Sequence, residues 1–160
     1  MNRPSPSLVF GTAAGLPVFC VTCALFTQHV LGMQPCPWCV LQRAIFLSIG
    51  LAALLGLAWR GALPRQVAAL AMLVLAGCGL AAAMWQHFVA ANSTSCNLTF
   101  ADRVMSGLGL DAVWPEVFAA YASCADAAAT LLGIPYEFYS GGNFLLLGAA
   151  ALWLLRHPRT

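Results

Sequence analysis

Four apolar segments constrain this chain more than any other feature of its sequence. Residues 8–30, 40–59 and 67–89 contain few polar side chains, and each segment is long enough, as a helix, to cross about 30 Å of hydrocarbon. Residues 135–155 reach that length only if their helix tolerates two adjacent glycines. The chain is 61% hydrophobic and only 8% charged, which exceeds what one soluble core requires. We predict an all-α membrane protein, with residues 1–160 forming a single four-helix transmembrane bundle.

The positions of the arginines predict the orientation of this bundle. Cytoplasmic flanks of membrane spans collect Lys and Arg. One side of the four-span arrangement carries only Arg43 and Arg103, together with all five carboxylates. We therefore expect both termini to be cytoplasmic, with outer loops at residues 31–39 and 92–134. The arginines on the inner side are Arg3, Arg60, Arg65, Arg156 and Arg159.

The first apolar segment could also be interpreted as a signal peptide. Its apolar run is longer than the core of a signal peptide, and no A-x-A-like site follows it, so we expect it to remain as a span. Gly11 and Gly15 form a small-xxx-small pair within it, a spacing that lets another helix approach closely. We expect that helix to belong to the same bundle.

The seven cysteines fall into two classes by predicted depth. Cys36 and Cys39 lie in the short outer loop, and Cys96 and Cys124 lie in the long outer loop. Disulfides persist on the oxidising side of a membrane, so all four can pair, and three connectivities remain open. Inside a span a thiolate is strongly disfavoured, which predicts a packing role for the other three. These are Cys20, Cys23 and Cys78.

The C-x-x-C pair Cys36 and Cys39 precedes the second span, where a helix N-terminus favours the thiolate. Arg43 lies about 6 Å deeper along that helix, and its side chain leans back toward the N-terminus. It can therefore reach the Cys39 sulfur or a ligand beside it; the alternative is an arginine that only extends to the lipid headgroups. His87, at a similar outer depth, is a second candidate to contact such a ligand, or is simply an interfacial histidine.

The long outer loop has two open interpretations. A disulfide between Cys96 and Cys124 could be a structural staple worth about 3–4 kcal/mol, or it could be redox-active. Apolar residues near Cys124 recur at helical spacing, with Pro115 suited to a first turn. They predict a short amphipathic interfacial helix that holds Cys124 near Cys36, or else a helix packed on the loop itself. These residues are Val113, Trp114, Val117, Phe118 and Tyr121.

Residues 35–43, Pro-Cys-Pro-Trp-Cys-Val-Leu-Gln-Arg, resemble the P-C-x-x-C-x-x-Q-R signature of the bacterial disulfide-bond formation protein B family (DsbB). Residues 109–118, and the segment up to Cys124, resemble the long loop of that family. The resemblance covers nearly the whole chain, including four spans, a short first outer loop and a long second one with a cysteine near each end.

The resemblance implies a redox relay. The pair matching Cys96 and Cys124 oxidises a soluble, thioredoxin-like periplasmic dithiol oxidase (DsbA-like), and Cys96 forms the mixed disulfide. Electrons then pass to the pair matching Cys36 and Cys39. From Cys39 they reach a membrane quinone, ubiquinone or menaquinone, bound near the arginine matching Arg43.

The resemblance also places a histidine matching His87 near the quinone. This chain departs from the family pattern there, because many relatives have an arginine before that histidine and this one has Gln86. The implied protein is a multi-pass enzyme of the bacterial inner membrane, in contact with lipid and quinone. No nucleic-acid partner and no metal are expected.

Two other classes would also fit some of these features. An enzyme of the vitamin-K-epoxide-reductase type is a small helical quinone oxidoreductase, but we expect its C-x-x-C within a late span. A non-enzymatic tetraspan scaffold would use Asn92-Ser93-Thr94 and Asn97-Leu98-Thr99 as glycosylation sites, but it has no need of Arg43 below a C-x-x-C.

Overall fold

The computed structural model describes residues 4–59, 61–92 and 99–157, and these residues form mainly helices. Four helices are long and apolar enough to cross a membrane, as the sequence predicted. They are α1 (Pro6–Val30), α2 (Pro37–Ala58), α3 (Ala62–Phe88) and α7 (Tyr136–Arg156). Between α3 and α7 lie a 3-10 turn (Ala90–Asn92), α4 (Phe100–Leu108), α5 (Leu110–Val113), α6 (Pro115–Phe118), and the two-residue antiparallel strands β1 (Thr130–Leu131) and β2 (Ile134–Pro135).

The starts of the first two spanning helices follow from local sequence. The Ser5 hydroxyl accepts a hydrogen bond from the Leu8 N–H and caps α1. At the start of α2 the same role falls to Cys36, whose Sγ accepts from the Cys39 N–H at 3.4 Å. Pro37 then occupies the first helical position, where its missing N–H costs nothing. Cys36 is therefore fixed at the N-terminus of the second spanning helix.

The four long helices pack as a ring in the order α1, α2, α3, α7. Neighbours in this order pack extensively, whereas α1 and α7 close the ring with little contact. Helix α2 is the most deeply buried of the four, and α4 and α6 cover its outer end. The N-terminal turn of α2 is thus enclosed by the bundle below and by the long loop above.

Two glycines allow the closest contacts between helices. A Cβ atom at Gly56 would overlap the ring of Phe10, and one at Gly79 would overlap the ring of Phe144. The expectation for Gly11 and Gly15 was wrong, because a Cβ at either position would meet no heavy atom within 4 Å. The small-xxx-small spacing allows close packing, but the rotation of α1 in the bundle leaves this pair facing open space.

We expect Gly79→Ala to destabilise the bundle by about 1–3 kcal/mol, because the added methyl group overpacks a full core. Phe144 cannot move away freely, since its ring stacks on Phe46 with centroids 4.0 Å apart. Gly77→Ala on the same helix is the matched control, because its Cβ would point into open space. Thermal unfolding in detergent should separate the two variants, and equal melting temperatures would contradict the packing argument.

The long outer loop contains an amphipathic helix, but not where the sequence pattern put it. A single helix through Val113 and Tyr121 was expected; the structure has two one-turn helices there, α5 and α6, with Trp114 between them. Pro115 does begin α6, as predicted, but its ring disfavours a helical conformation for Trp114, whose φ and ψ are −141° and 68°. The longest helix of the loop is α4, closed at its start by a capping box of Thr99 and Asp102.

Candidate functional site

Three cysteine thiols meet where α2 begins. The Sγ atoms of Cys36 and Cys39 lie 2.9 Å apart, and the Cys36 thiol is also hydrogen-bonded to the thiol of Cys124. The Trp38 backbone N–H donates to the Cys124 sulfur. All three are free thiols in this structure. The predicted proximity of Cys124 to Cys36 is therefore present, with Cys36 between the other two.

Backbone hydrogen bonds hold the long loop against the short one. The N–H groups of Tyr121 and Ala122 both donate to the Pro35 carbonyl, at 3.0 and 3.3 Å. Pro35 immediately precedes Cys36, and Ala122 lies two residues before Cys124, so these bonds fix the separation of the two thiols. Val117 and Phe118 of α6 are buried in the same core and anchor the loop from the other side.

The shared hydrogen bonds give Cys36 and Cys124 opposite acidities. The pKa of Cys36 is raised, because its single thiol proton is held between the Cys124 and Cys39 sulfurs and because the residue is fully buried. The pKa of Cys124 is lowered, since its sulfur accepts the hydrogen bond from Cys36. Cys36 thus keeps its proton while Cys124 is the better nucleophile, because the thiolate is the reactive form.

A cavity of about 250 Å³ lies beneath Cys39, within the ring of spanning helices. A cavity of about 150 Å³ is enough to hold benzene, so this one accommodates a small ring. Its walls are mostly apolar, and a few polar groups converge at the end next to the thiols, as in typical small-molecule sites. The polar lining includes Cys39, Gln42, Arg43, Gln86, Tyr136 and Glu137.

Arg43 lines this cavity and is held in place by three acceptors. Its guanidinium donates to Gln28 Oε1 at 2.7 Å, to the Val117 carbonyl at 3.0 Å and to the Ala24 carbonyl at 3.5 Å. Only 6% of the residue is exposed, so the alternative in which it extends to the headgroups is wrong. Arg43 brings a fixed positive charge next to Cys39 and ties α1, α2 and α6 together.

Sequence reasoning missed two glutamines at this site. Gln86 Nε2 donates to the Cys39 sulfur at 3.2 Å, and Gln42 Nε2 donates to Gln86 Oε1 at 2.7 Å. Both side chains are buried, and the second bond fixes which end of the Gln86 amide faces the sulfur. A polar side chain inside a span is costly unless it is paired, and that rule could have identified both residues from the sequence.

One predicted site residue, His87, lies apart from this group. His87 lies outside the cavity wall, and its Nδ1 is 2.6 Å from Glu137 Oε1. Glu137, which sequence reasoning did not select, does line the cavity. Cys96 lies outside the residues that the structure describes, so its expected pairing with Cys124 stays a prediction.

The C-x-x-C within α1 also borders the cavity. Cys20 and Cys23 both contribute to its wall, whereas Cys78 is exposed on α3. Their depth in the span still disfavours a thiolate at any of these positions. The packing interpretation needs a test, because Cys20 and Cys23 line the same cavity as Cys39.

We expect the triple variant Cys20→Ala, Cys23→Ala, Cys78→Ala to retain thiol oxidation within about tenfold of wild type, because thiols within a membrane span are poor nucleophiles. Activity should be measured in membranes with added quinone and normalised to protein level. A larger loss would show that the intramembrane pair takes part in the reaction. The single variant Cys78→Ala, away from the cavity, controls for general effects on packing.

Four spanning helices with a buried thiol cluster at the start of the second define a membrane-embedded thiol oxidoreductase. The sequence model of the family described as Disulfide bond formation protein DsbB matches residues 6–154. The chain belongs to this family and is a disulfide-generating oxidoreductase. The comparisons give no support to the vitamin-K-epoxide-reductase type or to a tetraspan scaffold.

Several curated relatives match along nearly their whole length. Disulfide bond formation protein B of Stutzerimonas stutzeri (strain A1501) is 31% identical, over 97% of this chain and 98% of the relative. The protein of the same name from Azoarcus sp. (strain BH72) is 32% identical, over 96% of this chain and 92% of the relative. The protein of the same name from Acinetobacter baumannii is 31% identical, over 96% of this chain and 92% of the relative.

Proposed function

We propose that this protein re-oxidises a soluble, thioredoxin-like periplasmic dithiol oxidase and passes the electrons to a membrane quinone. The observation that carries the proposal is the position of the Cys36 thiol, hydrogen-bonded to Cys39 on one side and to Cys124 on the other. One sulfur shared between two neighbours can exchange disulfide partners without large movements of the chain.

The relay follows from thiol–disulfide exchange, in which one S–S bond forms as another breaks. A thiolate of the soluble partner attacks Cys96 of a Cys96–Cys124 disulfide, and Cys124 leaves as a thiolate. That thiolate attacks Cys36 of a Cys36–Cys39 disulfide, and Cys39 leaves as a thiolate beside the cavity. The second thiolate of the partner then attacks the mixed disulfide, and Cys96 leaves as a thiolate. Cys96 attacks Cys124 and displaces Cys36, so the Cys96–Cys124 disulfide is restored, the partner leaves as a disulfide, and Cys36 and Cys39 hold the two electrons.

Burial supports this order of steps. Cys36 has no exposed surface, so a soluble protein cannot reach its sulfur directly. Cys124 is also buried, at 8% exposure. Entry of electrons at a further cysteine, which the family resemblance assigns to Cys96, agrees with both observations. The Trp38 backbone N–H, which donates to the Cys124 sulfur, favours the thiolate that the second exchange requires.

The cavity beneath Cys39 has the residues to hold a quinone headgroup. When bound, a quinone accepts two electrons and two protons. Arg43 and the Gln86 amide stabilise the negative charge on the Cys39 sulfur, and the Arg43 charge also favours developing charge on a ligand oxygen. Ubiquinone and menaquinone share this headgroup chemistry, and both are proposed substrates.

We place the thiol cluster at the periplasmic side and both termini in the cytoplasm. The excess of arginine at the opposite ends of the spans supports this orientation. Trp38 packs between Trp85 and Phe100, with ring centroids 6.2 and 6.3 Å away. An aromatic cluster at this level is typical of a membrane interface.

The test is anaerobic oxidation of a reduced thioredoxin-like protein by the purified enzyme with added ubiquinone. We expect one quinone to be reduced for each dithiol oxidised, and Cys39→Ser to fall to background because the last sulfur of the relay is missing. Cys78→Ser, on the exposed side of α3, should retain activity. Oxidation that continues without quinone under argon, or a Cys39→Ser variant with normal turnover, would contradict the proposal.

A further inference from the structure

An acid–base pair lies against the outer side of the cavity and has no part in the relay described above. Glu137 is in the first turn of α7, and His87 is in the last turn of α3. Their side chains are joined by the 2.6 Å contact between His87 Nδ1 and Glu137 Oε1. The His87 ring is further held edge-on by Phe88 and Phe138.

The two members of this pair face different surroundings. The Glu137 side chain is 9% exposed and forms part of the cavity wall. The His87 side chain is 30% exposed and lies outside that wall. Its backbone carbonyl accepts a hydrogen bond from Asn92, in the turn that leaves the membrane span. The Glu137 carboxylate therefore connects the cavity wall to a partly exposed imidazole at the outer end of α3.

Reduction of a quinone in the cavity requires a supply of protons. Oxidation of the Cys36 and Cys39 dithiol to a disulfide releases two electrons and two protons, and reduction of a quinone to a quinol consumes two of each. The electrons leave from Cys39 inside the protein, but Cys39 reacts as a thiolate whose proton has already gone to water. At least the proton lost from Cys39 must therefore return from water to the cavity in every turnover.

We propose that Glu137 donates protons to the reduced quinone and that His87 returns them to Glu137 from the periplasmic water. In each transfer the Glu137 O–H bond breaks as a quinone O–H bond forms, and the carboxylate then takes a proton from the imidazolium. The proposal rests on the proposed function, since it needs a quinone in the cavity. Glu137 is the catalytic residue, and His87 acts through it.

Other titratable groups that face the cavity serve this purpose less well. An arginine does not release its proton, and a tyrosine hydroxyl keeps its proton near neutral pH. The thiols are either in use for electron transfer or deep in the span. Carboxyl and imidazole groups exchange protons readily at neutral pH, and among the described residues that line the cavity Glu137 is the only carboxyl group. The other groups are Cys20 and Cys23 of α1, Cys39 and Arg43 of α2, and Tyr136 and Tyr139 of α7.

A purely structural role would use the same geometry. A carboxylate at a helix N-terminus and an imidazolium at a helix C-terminus are both stabilised by the helix dipoles, and their contact would tie α7 to α3. Such a role predicts a loss of thermal stability on mutation with a normal rate for the folded protein. A proton path predicts a slower quinone step in protein that remains folded.

The decisive experiment compares Glu137→Gln and His87→Gln with wild type. We expect quinone-dependent turnover to fall by at least about tenfold in Glu137→Gln, in the range of lost general acid catalysis. The content of bound quinone and the rate of thiol exchange with the soluble partner should be unchanged. His87→Gln should slow the quinone step as well, because the Glu137 carboxylate then lacks the side chain that returns its proton. Glu137→Asp should recover part of the rate.

Glu116→Gln and His29→Gln are the matched controls, because both residues are exposed outside the cavity. A readout that needs no quinone is the NMR spectrum of ¹³C-labelled histidine, in which Glu137→Gln should move the His87 signals, because their contact is lost, and leave the His29 signals unchanged. Wild-type turnover of Glu137→Gln with only a lowered melting temperature would overturn the proton path in favour of a structural pair. A wild-type enzyme that reduces no quinone would instead overturn the proposed function.

Discussion

Replacing Arg43 by methionine should raise the quinone concentration needed for half-maximal turnover by about ten- to a hundredfold. A hydrogen bond from a charged donor contributes about 1.5–3 kcal/mol, and 1.4 kcal/mol corresponds to a factor of ten. Arg43 supplies the only guanidinium on the cavity wall among the described residues. Steady-state rates over a range of ubiquinone concentrations, with saturating soluble partner, would measure the change.

The same variant has a structural consequence that must be separated from the quinone effect. The Gln28 side chain and the Val117 carbonyl both lose their donor, so we expect a lower melting temperature. Val117 lies in the segment that leads to Cys124, so thiol exchange should also slow, but less than the quinone step. The control is Arg156→Met, because Arg156 is exposed at the C-terminal end of α7, whereas the cavity is lined by the N-terminal part of that helix. Unchanged quinone dependence in folded Arg43→Met would remove Arg43 from the proposed quinone site.

The positions of the spans could be predicted because hydrophobic length alone determines them. The fourth span was the weakest prediction, since Gly141 and Gly142 interrupt it, yet α7 runs through both. The structure explains why the helix tolerates the first of them. A Cβ at Gly141 would meet Leu80 and Ala83 at 3.8 and 3.9 Å, so a small residue lets α7 pack close to α3. Tertiary packing here offsets a low helix propensity.

The depth of a residue in the membrane does not predict which way its side chain faces around the helix axis. Gln86 and His87 lie at nearly the same level in α3, but consecutive residues point about 100° apart around a helix. The packing of α3 against α2 and α7 turns Gln86 toward Cys39 and turns His87 toward Glu137. The motif-based prediction selected the histidine, whereas the bundle brings the glutamine to the sulfur.

The thiol cluster was easier to predict from the sequence than the helix rotations. The spacing of Cys36 and Cys39 and the cysteine near the end of the long loop predicted two pairs on one side of the membrane. The hydrogen bonds from Tyr121 and Ala122 to Pro35 were not predictable, because they depend on how the long loop folds over α2. The sequence predicted only that Cys124 lies near Cys36, and these hydrogen bonds bring the two thiols into contact.

Replacing Cys124 by serine should trap the soluble partner as a covalent complex with Cys96 and abolish turnover. In this variant the free Cys96 thiolate attacks the disulfide of the oxidised partner, and the partner's second sulfur leaves as a thiolate. Without Cys124 no exchange can connect the resulting mixed disulfide to Cys36. The complex should appear as a larger band on a gel without reductant and disappear when reductant is added. Cys96→Ser should give much less of this band, because the family resemblance assigns the mixed disulfide to Cys96.

This prediction decides between the two interpretations of the long loop. A structural disulfide resists reduction, whereas a relay disulfide must open and close in every turnover. If Cys96 and Cys124 were only a staple, both serine variants would lose about 3–4 kcal/mol of stability and neither would trap a partner. The burial of Cys36 and Cys124 would then leave neither of these two sulfurs exposed to the soluble partner. Trapping in Cys124→Ser, with near-normal thermal stability, is therefore the result that the contact between Cys36 and Cys124 leads us to expect.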